Sequence, residues 1–178
     1  MLFRSDATAF NNGDVALDWS NTSKVTNMQS MFYGVTTFNQ DISGWNTSAV
    51  TKMQSMFYGV TTFNQDISAW NTSAVTTMNS MFRDATDFNQ DVSAWDVSKV
   101  TSMASMFYDA TAFNNGGVAL DWSDTSSVTK MGYMFDKATT FNQDISTWNT
   151  SAVTTMYAMF RDATAFNQDV SAWDVSKV

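Results

Sequence analysis

The chain has 178 residues, 44% of them hydrophobic, enough for one domain with a buried core. It contains no Pro, Cys or His, and its 17 acidic residues are all Asp. That removes thiol nucleophiles, disulfides, the usual nitrogen and sulfur Zn sites, imidazole bases and Ser-His-Asp triads. With a net charge of -8 and only 9 scattered Lys and Arg, the composition argues against a nucleic-acid partner and against an anionic membrane surface.

The 7 Trp, 14 Phe and 13 Met point to about seven internal units. Met-Phe pairs fall at Met31-Phe32, Met56-Phe57, Met81-Phe82, Met106-Phe107, Met134-Phe135 and Met159-Phe160, with Leu2-Phe3 in the same frame. Successive steps are 25, 25, 25, 28 and 25, after a first step of 29. The extra residues lie in two matching stretches, FNNGDVALDWSNTS and FNNGGVALDWSDTS. A unit of this size buries its apolar face only by stacking on its neighbours. The expected fold is therefore an α/β repeat solenoid of about seven coils, each a short parallel strand plus a short helix. Residues 1–178 form a single array of 25–28-residue units.

Within a unit, the first element is a turn. Asn11, Asn39, Asn64, Asn89, Asn114, Asn142 and Asn167 each follow an aromatic residue, and a ladder of their amides from coil to coil is expected there. Gln40-Asp41-Ile42-Ser43 then alternates polar and apolar residues as a strand does. Ser48, repeated as Ser23, Ser73, Ser98, Ser126, Ser151 and Ser176, suits a helix N-cap. Val50, Met53, Met56, Phe57 and Val60 share one face of a helix of two or three turns. Gly34 and Gly59, replaced by Asp84, Asp109 and Asp162 elsewhere, follow as stop signals. In the inserted units, Trp19 and Trp122 match either the repeating Trp or the strand Ile, and the Trp match is preferred.

The combination W-x-x-S-x-V-T-x-M-x-x-M-F with F-N-Q-D, clearest in FNQDISAWNTSAVTTMNSMF, resembles the bacterial surface protein repeat of about 26 residues in mycoplasma- and Listeria-type lipoproteins. More loosely it is similar to BspA-type leucine-rich repeats. The resemblance implies a leucine-rich-repeat-like solenoid, an extracellular or cell-surface location, a role in adhesion, and no catalytic residues. Met, Phe and Trp stand here where the leucine-rich pattern has Leu. The array starts at Met1-Leu2-Phe3 and stops mid-unit at Ser176-Lys177-Val178, which reads as a fragment of a longer protein.

Two surfaces are candidates for binding. The first is the outward row of the strands: Asp41 and Ser43, Asp66 and Ser68, Asp91 and Ser93, Asp144 and Ser146, Asp169 and Ser171. Residues two apart share a face, and stacked like charges favour a cationic partner unless they only solubilise the surface or bond turn backbone. The second is the edge after the Met-Phe pair, where the units differ most: Tyr33, Tyr58, Arg83, Tyr108, Asp136 and Arg161. Tyr and Arg are favoured at recognition surfaces. Thr26, Thr51, Thr76, Thr101, Thr129 and Thr154 form a further row that a periodic lattice such as ice or crystalline polysaccharide would match. The Asn-Thr-Ser tripeptides fit a glycosylation sequon, yet turn formation explains them equally.

The function expected is a non-enzymatic surface or secreted module for adhesion or for protein or glycan interaction. Lattice binding and a structural spacer that self-stacks through its open ends are the alternatives. No metal or cofactor is expected, since no EF-hand or Gly-Asp nonapeptide loop is present. Neither nucleic acid nor membrane insertion is expected. Equivalent Asp residues on equivalent coils do not divide into an acid and a base, so an enzyme is the least favoured class.

Overall fold

A computed structural model describes residues 8–15, 17, 19 and 21–178; the Leu2-Phe3 pair expected to open the array lies outside the described residues. The chain winds into stacked coils, and seven of them open on Phe10, Phe38, Phe63, Phe88, Phe113, Phe141 and Phe166. Rings at equivalent positions stack along the axis: Phe38 on Phe63 at 6.0 Å and Phe63 on Phe88 at 6.0 Å between centroids. A second Phe column runs parallel to it, Phe57 on Phe82 at 5.5 Å and Phe82 on Phe107 at 5.6 Å. Within each coil the two columns touch, as Phe82 does Phe88 at 3.9 Å. The Met-Phe pairs, Ile42, Ile67, Val92 and the Trp residues complete one continuous core.

The architecture is not the α/β solenoid that the periodicity suggests. Among the described residues there is no α-helix and no extended strand; the only helical segments are 3-10 turns at Asn12–Asp14 and Asn115–Gly117. Strand-like pairing is reduced to isolated parallel bridges, Asn27 to Lys52, Lys52 to Thr77, Thr77 to Ser102, Ser102 to Lys130 and Lys130 to Thr155. The likeness to leucine-rich repeats therefore does not extend to the backbone. Spacing is the physical reason. An α-helix with its side chains is about 10 Å across, whereas equivalent Phe rings sit 5.5–6.0 Å apart, so coils this close leave no room for a helix each.

The segment expected to be helical, Val50 to Val60, follows a different hydrogen-bonding scheme. Met53, Ser55, Phe57 and Gly59 donate their N–H groups to Thr77, Asn79, Met81 and Arg83 of the next coil. The residues between donate locally: Met56 to Met53, Tyr58 to Ser55 and Val60 to Phe57. Two left-handed residues per coil make this possible, Ser55 at φ 54° and Gly59 at φ 68°. Gly34 and Gly59 suit that region because they lack a Cβ, and a Cβ on Gly59 would meet only the Gly34 Cα at 3.8 Å. Asp84, Asp109, Lys137 and Asp162 hold the same conformation in later coils. The expected stop signals thus mark a real backbone reversal, but no helix ends there.

The expected strand is also a turn. The Ser43 N–H donates to Asp41 Oδ1 at 2.9 Å and the Trp45 N–H to the Ile42 carbonyl at 3.2 Å. Ser48 is no N-cap; its N–H and hydroxyl both donate to Asn46 Oδ1, closing a second turn. The asparagine ladder is present as expected: Asn64, Asn89 and Asn114 each donate a backbone N–H to the side-chain oxygen of the Asn one coil before, at 2.7–3.0 Å. Trp122 takes the repeating Trp position, stacked 5.2 Å from Trp148, and Leu120 fills the Ile position, its carbonyl accepting from Trp148 Nε1 as Ile42 accepts from Trp70. Trp19 likewise stacks on Trp45 at 5.3 Å.

A column of buried threonines joins the coils from inside the turn. Thr22, Thr47, Thr72, Thr125 and Thr150 each donate a hydroxyl to a carbonyl of the following coil at 2.9–3.1 Å. Val97 occupies the same buried slot, so its shape is compatible with Val. Replacing Thr47 with Val keeps the volume and leaves the Asn71 carbonyl without its donor, at a cost of about 1 kcal/mol. Urea unfolding of T47V is expected to show that loss in midpoint with an unchanged slope; an unaltered midpoint would remove the hydroxyl from the list of coil-to-coil fasteners.

Candidate functional site

The Asp-Ser row lies on the surface as expected, though on turns and not on strands. Ile42, Ile67, Val92 and Ile145 point into the core, and the Asp on one side of each faces outward. Every one of these carboxylates is already engaged. Ser43, Ser68, Ser93, Ser146 and Ser171 each donate a backbone N–H, at 2.9 Å, to Asp41, Asp66, Asp91, Asp144 and Asp169 respectively. For Asp41, Asp66, Asp144 and Asp169 that backbone N–H is the main reason the carboxyl lies below its ordinary value of 3.8, with the Ser hydroxyl adding to it. Turn formation therefore accounts for this row, one of the two bland readings its sequence admits.

The threonine row is likewise tied into the stack. Thr51, Thr76, Thr101, Thr129 and Thr154 donate hydroxyls to the carbonyls of Thr26, Thr51, Thr76, Thr101 and Thr129 at 3.0–3.2 Å. They flank the parallel bridges and lie in no helical turn.

The edge after the Met-Phe pair is assembled differently. The register of one coil on the next brings Tyr33, Tyr58, Arg83, Tyr108, Asp136 and Arg161 into a single column. Tyr33 stacks on Tyr58 at 4.5 Å, and the Arg83 guanidinium lies between rings, 5.4 Å from that of Tyr58 and 4.1 Å from that of Tyr108. Lys137 approaches Tyr108 from the other side at 5.6 Å. At the far end, Arg161 grips the fully buried Asp136 through two bonds, at 3.1 and 2.6 Å, and lies 5.7 Å from the Tyr133 ring. Tyr33 is 39% exposed. Ring faces are covered by their neighbours, so what this column offers to solvent is ring edges, phenol hydroxyls and guanidinium.

Electrostatics single out the same column. Burial pushes the Asp84 carboxyl above 3.8, opposed by Arg83, 3.6 Å away, and assisted by Asp109. Burial also raises the Tyr58 phenol, with Arg83 pulling it down. Of the residues singled out in the sequence, then, the structure gathers Tyr33, Tyr58, Arg83 and Tyr108 into one continuous surface, with Arg161 anchored at its end.

Sequence reasoning missed a further column, Gln29, Gln54, Asn79, Ala104, Gly132 and Tyr157, which Ser30, Ser55, Ser80, Ser105 and Tyr133 separate from the Tyr-Arg column. Gln54 Nε2 donates to Gln29 Oε1 at 2.8 Å. These positions vary freely in the repeat, so no pattern marked them. The buried threonines did leave a signal, the exchange of Thr for Val at Val97.

A family profile described as a Mycoplasma protein of unknown function, DUF285, matches residues 2–122 and 116–178. The chain belongs to the DUF285 family. This agrees with the mycoplasma-type repeat expected from the Trp, Met-Phe and Phe-Asn-Gln-Asp motifs. No curated protein matches the chain. Among the described residues of this DUF285 chain, no helix is long and apolar enough to cross a membrane, and no three acidic groups are placed to hold a metal ion.

The carboxylate turns set a pH dependence. Because the folded carboxyls of Asp41 and Asp66 lie below their unfolded value, their stabilising contribution is complete above 3.8 and is lost as pH falls below it and through their lower folded values. Asp84 has the opposite sign: its carboxyl is raised, so its charge opposes folding at neutral pH, and the penalty disappears on protonation. Denaturant midpoints measured between about pH 7 and 2 are expected to fall below pH 4 for the parent chain, and less steeply for the Asp41→Asn, Asp66→Asn pair. Asp84→Asn should match or exceed the parent at pH 7, with the difference shrinking on acidification. A steeper acid loss in the Asn pair would contradict the assignment.

Proposed function

We propose that this chain is a non-enzymatic binding module that engages a protein or glycan along the edge formed by Tyr33, Tyr58, Arg83 and Tyr108. The observation that carries the reading is the contrast between columns. The Asp-Ser and Thr columns repeat almost unchanged and donate or accept within the stack. The Tyr-Arg column varies from coil to coil, keeps polar groups at the surface, and concentrates the residue types that dominate recognition. Stacking on neighbouring rings also restricts these side chains, which lowers the ordering cost of binding.

Resemblance to the surface repeats of mycoplasma- and Listeria-type lipoproteins, and more loosely to BspA-type repeats, supports a secreted or cell-surface role. The acidic composition supports a partner other than nucleic acid.

The test is retention on immobilised matrix proteins and a glycan array. Arg83→Ala and Tyr58→Ala are expected to lower retention at least about tenfold, the scale of a recognition anchor. The triple change of Asp41, Asp66 and Asp91 to Asn is expected to leave it intact. Thermal melts of each variant separate lost contact from lost fold. Retention that follows the Asp row and ignores Arg83 would overturn this reading.

A further inference from the structure

The turn that follows each Trp is closed by a side-chain oxygen, and the residue supplying it is of two types. Asn21, Asn46, Asn71 and Asn149 offer an amide oxygen there, whereas Asp96, Asp124 and Asp174 offer a carboxylate oxygen. Both types close the same turn. Ser48, Ser73 and Ser151 donate N–H and hydroxyl to the Asn, at 3.0–3.1 and 2.7 Å, and Ser98 donates both to Asp96, at 3.0 and 2.6 Å. The turn therefore needs one oxygen acceptor and does not explain why these coils carry an amide.

Charge avoidance does not explain it either. Asp96 and Asp124 stand on consecutive coils, each carboxyl held below its ordinary value first by its serine hydroxyl and then by the serine N–H. What separates Asn from Asp is Nδ2, which none of the turn bonds uses. All of these asparagines are exposed, yet the backbone beneath them is tied down: the Asn46, Asn71 and Asn149 carbonyls accept from the buried Thr22, Thr47 and Thr125 hydroxyls of the preceding coil. Each has Ser two residues on, and no other Asn in the chain is followed at that distance by Ser or Thr. Asparagines of the ladder, such as Asn64 and Asn89, differ on both counts, since Gln-Asp or Gln-Asp-Val follows them and their side-chain oxygens are bonded to the next coil.

We propose that Asn21, Asn46, Asn71 and Asn149 are acceptor sites for an asparagine-linked glycan. Asn-x-Ser is the pattern that transferases of this kind read, and it marks surface loops of secreted chains. In the transfer, Nδ2 forms a bond to the anomeric carbon of a glycosyl phosphate donor. The anomeric C–O bond breaks, the phosphate leaves with its electron pair, and the displaced amide proton passes to a base of the transferase. The tripeptide is read on the extended chain; once the coil closes, the turn is completed through Oδ1 and Ser, and the linked nitrogen stays outside it. A glycan at this position therefore breaks none of the turn bonds, a freedom that Asn has here and Asp lacks. The modification goes beyond the binding edge and shares with it only the secreted or surface location.

The test routes the whole chain through the secretory pathway of a eukaryotic cell, with intact-protein mass spectrometry and peptide mapping before and after treatment with peptide N-glycosidase. Glycan is expected on Asn149 and on at least one of Asn21, Asn46 and Asn71. Ser151→Ala should remove it from Asn149, and Ser151→Thr should keep it. Asn149→Asp should also remove it, and in chain made without glycosylation it should melt within about 2 °C of the parent, because Asp124 already closes the same turn. The glycosylated parent should melt no lower than the unmodified chain. The inference fails if a folded, secreted chain carries no glycan on any of these asparagines, or if the glycosylated chain melts well below the unmodified one, which would put Nδ2 inside the stack. An unglycosylated chain that keeps its Arg83-dependent retention sinks the acceptor sites and leaves the binding module standing. A glycosylated chain without retention does the reverse.

Discussion

The structure depends on one repeated interaction, the hydrogen bond that runs from the N–H of one coil to the carbonyl of the next at every second residue of the Met-Phe segment. Gly34 donates to Tyr58, Gly59 to Arg83, Asp84 to Tyr108, Asp109 to Asp136 and Lys137 to Arg161. In each of these coils the accepting carbonyl and the next donating N–H belong to the same peptide unit. Peptide dipoles therefore line up along the stack as they do along a helix, and not in the alternating sense of a sheet. Because every coil must present the same groups at the same height, the period of the sequence is fixed by this register. The insertion shared by the first and fifth units falls at Asn12–Asp14 and Asn115–Gly117, outside the aligned segment.

From that register the side-chain columns follow. Once the backbone of each coil sits over the last, identical residues are brought into contact with themselves. Phe on Phe, Asn on Asn and Thr on Thr are then the economical choices. Identical aromatic rings stack without strain, and an amide or hydroxyl bonds its own copy's backbone. The Asp-Ser column is the exception, since like charges repel, and there each carboxylate is held by a serine N–H of its own turn. Function is then expected where a column departs from uniformity, as the Tyr-Arg edge does.

Binding-surface design in such a stack has a particular constraint. A side chain on one coil is always flanked by its equivalents, so its faces are covered and only its outer edge is free. Arg83 shows the consequence: pressed between Tyr58 and Tyr108, it gains cation-π contact and turns its Nε to Asp84 at 3.6 Å. Rigid presentation comes at the cost of accessible area.

Much of this was legible from the amino-acid order alone. The unit length, its insertion points, the core Met, Phe and Trp, the asparagine ladder and the Trp alignment all follow from period and residue type, because stacking makes each unit bury the same apolar groups. The Tyr-Arg candidates were visible as a variable position that concentrates Tyr and Arg, residue types favoured in recognition. The local backbone was not legible. Val50 to Val60 has the apolar spacing of a helix and Gln40 to Ser43 the alternation of a strand, yet periodicity reports only which side chains go inward. Only the close approach of neighbouring coils, too near for a helix, forced left-handed residues at Ser55 and Gly59 and turned alternate N–H groups toward the next coil. Tertiary packing likewise chose which carboxylates are consumed by turns and which polar atoms are left without partners, since both depend on what lies one coil away and on nothing adjacent in the chain.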